Sequence, residues 1–416
     1  MPDRSRKFAV FAFAYAAAHA GLVIAFLPLI VLILPLKAAT IEPENTIELL
    51  SVVLLAGALT ASIGGIAAGW VSDRIFAITG SRIGQALFGL VATLISYGVF
   101  ACASTPNGLV LAFVFYQICL NIFFSPLWAL LADKVPNEAK ARSAALVNLG
   151  IPIGTVVIAL LALSPLNNEA ERLTAIASLV AVLVLPVCIL AVGQENIPVP
   201  SVDTRIAQST KNTGLRDLIF AWVARLSVQI SGAVAFGYML LYLKDVVGPD
   251  IGAFASSPEQ ALGQMGLIAT PIAIALCLLS GFFGDRMPHR RGAILILCAS
   301  AVGVSLVALA IWPSPLNAVF AYAAFTACLT SYLAIDNAVV AQLLAASESR
   351  ARTLGVMNLT NTLPSILAPL AALLLATQGI PKAVLVWLFG LAGLLAFVAT
   401  IAATRITSAH RSPKRV

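Results

Sequence analysis

The sequence predicts an all-α integral membrane protein, with twelve transmembrane helices in two pseudo-symmetric six-helix halves. Three observations carry that prediction. Of the 416 residues, 60% are hydrophobic and only 10% are charged, with a mean hydropathy of +0.98, whereas soluble domains carry about 25% charged residues. Apolar runs of about 20 residues, the length that crosses about 30 Å of hydrocarbon as a helix, recur from end to end. Two short motifs also occur twice, in the same order and at nearly the same spacing. Segments of about ten residues with alternating polarity, the mark of a membrane β-barrel, do not occur, so the spans read as helices.

The predicted spans are 8–36, 47–71, 84–104, 108–132, 142–164, 172–192, 217–243, 260–283, 292–312, 316–345, 352–377 and 381–404. The first follows the basic stretch MPDRSRK, as a secretory signal would, but it is too long and no small-residue cleavage site follows it. It reads as a retained span. Pro126, Pro152, Pro271, Pro364 and Pro369 fall inside spans and read as kinks, which membrane helices tolerate. The six cysteines also lie in spans, without metal-ligand spacing, and read as small packing residues.

The net charge of +7 follows topology. Of the Lys and Arg residues, 20 fall on the side that includes the N-terminus, and only Lys37, Arg172, Lys244 and Lys382 fall on the other. The positive-inside rule then places both termini in the cytoplasm of a bacterial-type inner membrane. No single basic patch exists for nucleic acid to bind.

A polar stretch, GQENIPVPSVDTRIAQSTKNTG, separates the sixth and seventh spans. It divides the chain into an N-terminal half (1–192), a cytoplasmic linker (193–216) and a C-terminal half with a short basic tail (217–416). GWVSDRIFAITGSRIG recurs in weakened form as GFFGDRMPHRRG, aligning Asp73 with Asp285 at a separation of 212. EAKARSAALVNL recurs as ESRARTLGVMNL, aligning Arg142 with Arg352 and Asn148 with Asn358 at a separation of 210. An internal duplication is the simplest cause. Parallel repeats of six helices are a transporter architecture.

These residues resemble the signature of the major facilitator superfamily, a Gly followed after three residues by Asp-Arg and then by basic residues. Gly69, Asp73, Arg74, Gly80 and Arg82 fit it after the second span, and Gly281, Asp285, Arg286, Arg290 and Arg291 fit it after the eighth. The first copy carries an insertion-like IFAIT. SPLWALLADKVPNEAKARSAALVNLG and AIDNAVVAQLLAASESRARTLGVMNLTNTLPSILAP look like a bacterial branch near the glycoside-pentoside-hexuronide and sucrose permeases. The resemblance implies a cavity lined by spans 1, 4, 7 and 10, with gating by Gly69, Asp73, Arg74, Arg142, Asp285, Arg286 and Arg352. Asp73 would meet the region of Arg352, and Asp285 that of Arg142.

Three ionisable residues lie well inside spans: His19, Arg225 and Asp336. An intramembrane charge is costly and marks function by default. All three fall on spans that the resemblance assigns to the cavity. Each has a polar companion four residues away on the same helical face, namely Tyr15, Gln229 and Tyr332, and span 4 supplies Gln117 and Asn121 at the same spacing. Asp336 lies about ten residues from its helix end, roughly 15 Å deep. Arg225 and Asp336 can form a salt bridge; one reading makes it a proton-coupling device with His19, another a fixed structural pair, and a third has Arg225 bind a solute carboxylate. Asn358 and Asn361 join Tyr15, Gln117, Asn121, Arg225, Gln229 and Tyr332 as candidate solute contacts.

No Walker loop, dinucleotide fingerprint, zinc spacing or nucleophile elbow is present, so neither enzyme activity nor a cofactor is expected. The expectation is a secondary transporter that works as a monomer in a lipid bilayer. Its partners would be protons and a small-molecule solute, and the transport would be uptake of a polar solute such as a sugar or glycoside. Proton-coupled efflux of amphiphiles is the alternative.

Overall fold

Long apolar runs bounded by Pro, Ser, Asn and Gly produce helices and nothing else among the described residues, which in the computed structural model are 2–134, 150–166, 168–192, 215–345, 350–377 and 379–406. The helices are α1 (Pro2–Pro28), α2 (Leu34–Ile41), α3 (Thr46–Thr79), α4 (Ile83–Cys102), α5 (Pro106–Lys134), α6 (Gly150–Leu163) and α7 (Glu169–Val192). They continue with α8 (Leu215–Leu241), α9 (Pro258–Arg286), α10 (Arg291–Ile311), α11 (Pro315–Ala345), α12 (Arg350–Ala376) and α13 (Pro381–Thr404). A π-turn at Leu29–Ile33 joins α1 to α2 in one rod. Eleven of the resulting rods are long and apolar enough to cross a membrane; α6 is shorter within the described residues. The described residues are all-α, as the sequence predicts.

The chain divides into two compact units, Met1–Val202 and Asp203–Val416. The expected linker lies almost wholly outside the described residues. In the first unit α1 packs on α6 and α7, while α5 packs on α3 and α4. In the second, α13 packs on α8 and α10, and α11 packs on α9 and α10.

Both units show how polar atoms survive inside apolar helices. Hydroxyls bond back to the carbonyl four residues earlier, as in Ser51 to Ile47, Thr93 to Gly89 and Ser331 to Ala327. The Tyr97 and Tyr116 hydroxyls both donate to the Ala25 carbonyl, at 2.6 and 2.8 Å, one turn before the π-turn that follows Pro28. Close helix approach rests on glycine. A Cβ on Gly89 would lie 2.5 Å from the Phe123 Cα, and a Cβ on Gly303 or Gly393 would lie 3.1 or 3.0 Å from the other's carbonyl oxygen.

The repeat visible in the sequence recurs in the structure. The first helix of each unit ends in a π-turn, starting at Leu29 and at Tyr242, 213 residues apart. Arg74 stacks on Trp70 and Arg286 on Phe282, at matching positions 212 residues apart.

Two element boundaries differ from the sequence expectation. Helix α3 runs through Asp73 and IFAIT to Thr79, because nothing in that stretch breaks a helix before Gly80. Gly80 adopts φ 68 and returns its N–H to the Phe76 carbonyl at 2.8 Å, a left-handed helix stop. Lys37, counted above as a loop charge, is buried in α2. Its ammonium meets Glu169 at 2.8 Å, the Ala101 carbonyl at 2.9 Å and the face of Phe100.

Candidate functional site

Arg225 projects from α8 and Asp336 from α11, and the two form an ion pair within the second unit. The Asp336 side chain is 2% exposed and that of Arg225 is 12% exposed. Both protons of Arg225 Nη1 are used, one on Asp336 Oδ2 and one on Asn337 Oδ1 at 3.0 Å. Nη2 donates to Asn361 Oδ1 at 3.2 Å, and the same oxygen accepts from Gln229 Nε2 at 2.8 Å. Asn361 Nδ2 then donates to Asn358 Oδ1 at 3.1 Å. Three helices therefore build one polar cluster around a single guanidinium. Neutral amide oxygens take up two of its four remaining N–H groups, which supports the buried charge beyond its counter-ion.

The local reasons are simple. Arg225 and Gln229 are four apart on α8 and share a face, as do Tyr332 and Asp336 on α11. Asn358 and Asn361 are three apart on α12. The Tyr332 side chain is fully buried, and its hydroxyl has no hydrogen-bond partner among the described residues. A cavity of about 700 Å³ lies elsewhere, in the first unit, lined by Val71, Ile75, Phe88 and Ile122 with no charged residue. It does not contain the cluster.

Of the residues singled out from sequence, Arg225, Gln229, Asp336, Asn358 and Asn361 come together. Asn337 was missed. Its signal was a second polar residue beside Asp336 in an otherwise apolar run.

Several of the sequence-predicted positions in the first unit have partners inside that unit. Tyr15 is buried and donates its hydroxyl to the Leu127 carbonyl at 3.1 Å, which closes α1 onto α5 and takes that proton away from a solute. Gln117 and Asn121 do share a face, but it packs against α3. A Cβ on Gly57 would lie 3.3 Å from Gln117 Nε2, and one on Gly65 would lie 3.2 Å from Asn121 Oδ1. Gly64 and Gly65 make room for Asn121, while Gly57 makes room first for the Phe113 ring, so both amides lie along the interface of α5 with α3. Exposed Asp73, on α3, pairs at 2.9 Å with Arg82, the residue that precedes α4, and Arg82 also donates to Ser72 at 2.9 Å. The Asp73 carboxylate thus has a local partner, because the longer α3 brings it beside the start of α4.

His19 is buried in the first unit, edge-on to Trp128 with ring centroids 4.7 Å apart and close to Gly150. Gly69 faces Ser125. Arg74 and Arg286 are exposed at the ends of α3 and α9. Arg142 and the side chains of Asp285 and Arg352 lie outside the described residues.

Comparisons with known proteins agree on the fold. No family model and no curated protein matches the chain. Among solved structures, a bacterial homologue of the human lysosomal transporter Spinster, in an inward-facing and unoccupied conformation, aligns with 99% of this chain and 96% of its own at a TM-score of 0.61 and 16% identity. The nucleoside transporter NupG aligns with 95% of this chain and 99% of its own at a TM-score of 0.62 and 15% identity. Likeness at this identity establishes a shared fold and leaves function to the residues.

Proposed function

We propose that the protein is a secondary transporter working by alternating access, which takes up a small polar organic solute together with protons. The observation that carries this reading is the Arg225–Asp336 pair in its cage of amide oxygens, inside an apolar helical bundle. A proton arriving on Asp336 cancels the charge that holds Arg225, while Asn337 and Asn361 continue to hold the guanidinium. The pair can therefore open and close without stranding a bare cation, which a proton-coupling device needs and a fixed structural pair does not.

Polar amides are suited to hydroxyl-bearing solutes. A sugar or glycoside fits, in keeping with the resemblance to glycoside-pentoside-hexuronide and sucrose permeases, and so does a nucleoside, the solute class of NupG. Efflux of cationic amphiphiles has less support, since it needs an accessible acid and Asp336 is sealed beneath Arg225. The basic residues support an inner-membrane protein with both termini cytoplasmic.

The test is proton flux in proteoliposomes with an internal pH dye, screened with sugars, nucleosides, carboxylates and cationic amphiphiles. Acidification of the lumen on addition of a neutral polar solute is the expected result. Proton movement opposite to an amphiphile, or silence across the panel, would overturn the reading.

A further inference from the structure

We propose that this site admits uncharged solutes and rejects anions, and that Asp336 sets this selectivity by cancelling and enclosing the charge of Arg225. The proposal rests on the reading of the cluster as the solute site.

The first argument is the count of charge. Arg225 and Asp336 are the charged members of the cluster and sum to zero, so an anionic solute would enter without a counter-charge. The second is the count of donors. A guanidinium grips a carboxylate with two parallel N–H groups, either from Nη1 and Nη2 or from Nε and Nη2. Both protons of Nη1 are taken by Asp336 and Asn337. Nε is sealed from solvent with no hydrogen-bond partner among the described residues. Neither fork is open, which closes the route by which Arg225 would bind a solute carboxylate.

The third argument is what the amides present. The oxygen of Asn337 faces Arg225, so its NH2 group is turned away. Asn358 accepts from Asn361 through its oxygen, which leaves its own NH2 free in the same sense. Gln229 uses its NH2 on Asn361, which leaves its carbonyl oxygen free. None of these three free groups has a hydrogen-bond partner among the described residues, and Asn337 and Asn358 are exposed. The rim therefore offers two donors and one acceptor. A hydroxyl, which both donates and accepts, satisfies such a rim, whereas a carboxylate only accepts and is repelled by the Gln229 oxygen.

The test measures ligand-induced thermal stabilisation of the purified protein at fixed pH and ionic strength. The probes are matched pairs: a hexose with its hexuronate, and a nucleoside with its 5′-monophosphate. In the wild type the neutral member should bind and its anionic partner should bind at least about tenfold more weakly. In Asp336→Asn the guanidinium loses its counter-ion, and the anionic member, and acetate alone, should gain at least about tenfold. Asn337→Asp, at an exposed position, should instead give the site net negative charge and admit an amino sugar. Equal binding of both members by the wild type, or no gain of anions in Asp336→Asn together with no gain of the amino sugar in Asn337→Asp, would overturn the selectivity. Silence of every probe, matched by silent proton flux, would overturn the solute site beneath it.

Discussion

Arg225 and Asp336 are unequally supported, and the inequality predicts an asymmetric response to mutation. Asp336 is 2% exposed, and Arg225 is the one described residue that donates to it. Arg225 keeps Asn337 and Asn361 as acceptors when Asp336 is gone. Arg225→Leu strands a buried carboxylate, and breaking a buried pair from one side costs about 3–5 kcal/mol. Asp336→Asn leaves the guanidinium on two amide oxygens, and losing one charge-assisted hydrogen bond there costs about 1.5–3 kcal/mol. Removing both charges takes away the desolvation penalty as well, so the double variant should fall short of the summed losses by about 2 kcal/mol or more. The assay is unfolding of all four proteins in one mild detergent, read as a double-mutant cycle. Losses that add within about 0.5 kcal/mol, or a greater loss from Asp336→Asn than from Arg225→Leu, would refute the reasoning.

Other substitutions test the packing that holds the site. Gly89→Ala should cost about 1–3 kcal/mol by overpacking, because the added methyl meets backbone atoms of Phe123 that cannot move aside; Gly98→Ala, with nothing within 4 Å, should stay within about 1 kcal/mol in the same unfolding assay. Lys37→Met should lose about 1.5–3 kcal/mol, since it removes charge-assisted bonds to Glu169 from a side chain only 6% exposed. That loss should shrink only in part with added salt, because Lys37 is buried while Glu169 is 30% exposed. Gly80→Val should lower the melting temperature by straining the left-handed stop of α3, at a cost of about 1–2 kcal/mol.

Much of the fold was legible because membrane helices announce themselves by length and composition. The last span, 381–404, coincides with α13. The extension of α3 was misjudged because IFAIT was weighed as an insertion in a loop motif. No Pro or Gly interrupts the chain between Gly69 and Gly80, so the helix continues until Gly80 takes φ 68.

At the site, Arg225 and Asp336 were legible because a charge in an apolar run has few explanations. Gln117 and Asn121 were harder. A spacing of four shows that two residues share a face, but only the partner helix shows which way that face points. The clue lay 56 to 60 residues upstream, in the glycines Gly57, Gly64 and Gly65 that face them. The partner of Tyr15 was not legible, because only the fold places the carbonyl of Leu127 beside it.

The central claim is that a proton on Asp336 drives the solute. The most direct measurement compares accumulation and exchange of the same labelled solute by wild type and Asp336→Asn in proteoliposomes with an imposed pH gradient. The account predicts that the variant loses uphill accumulation entirely while equilibrium exchange persists. Undiminished accumulation driven by the pH gradient in Asp336→Asn would contradict it.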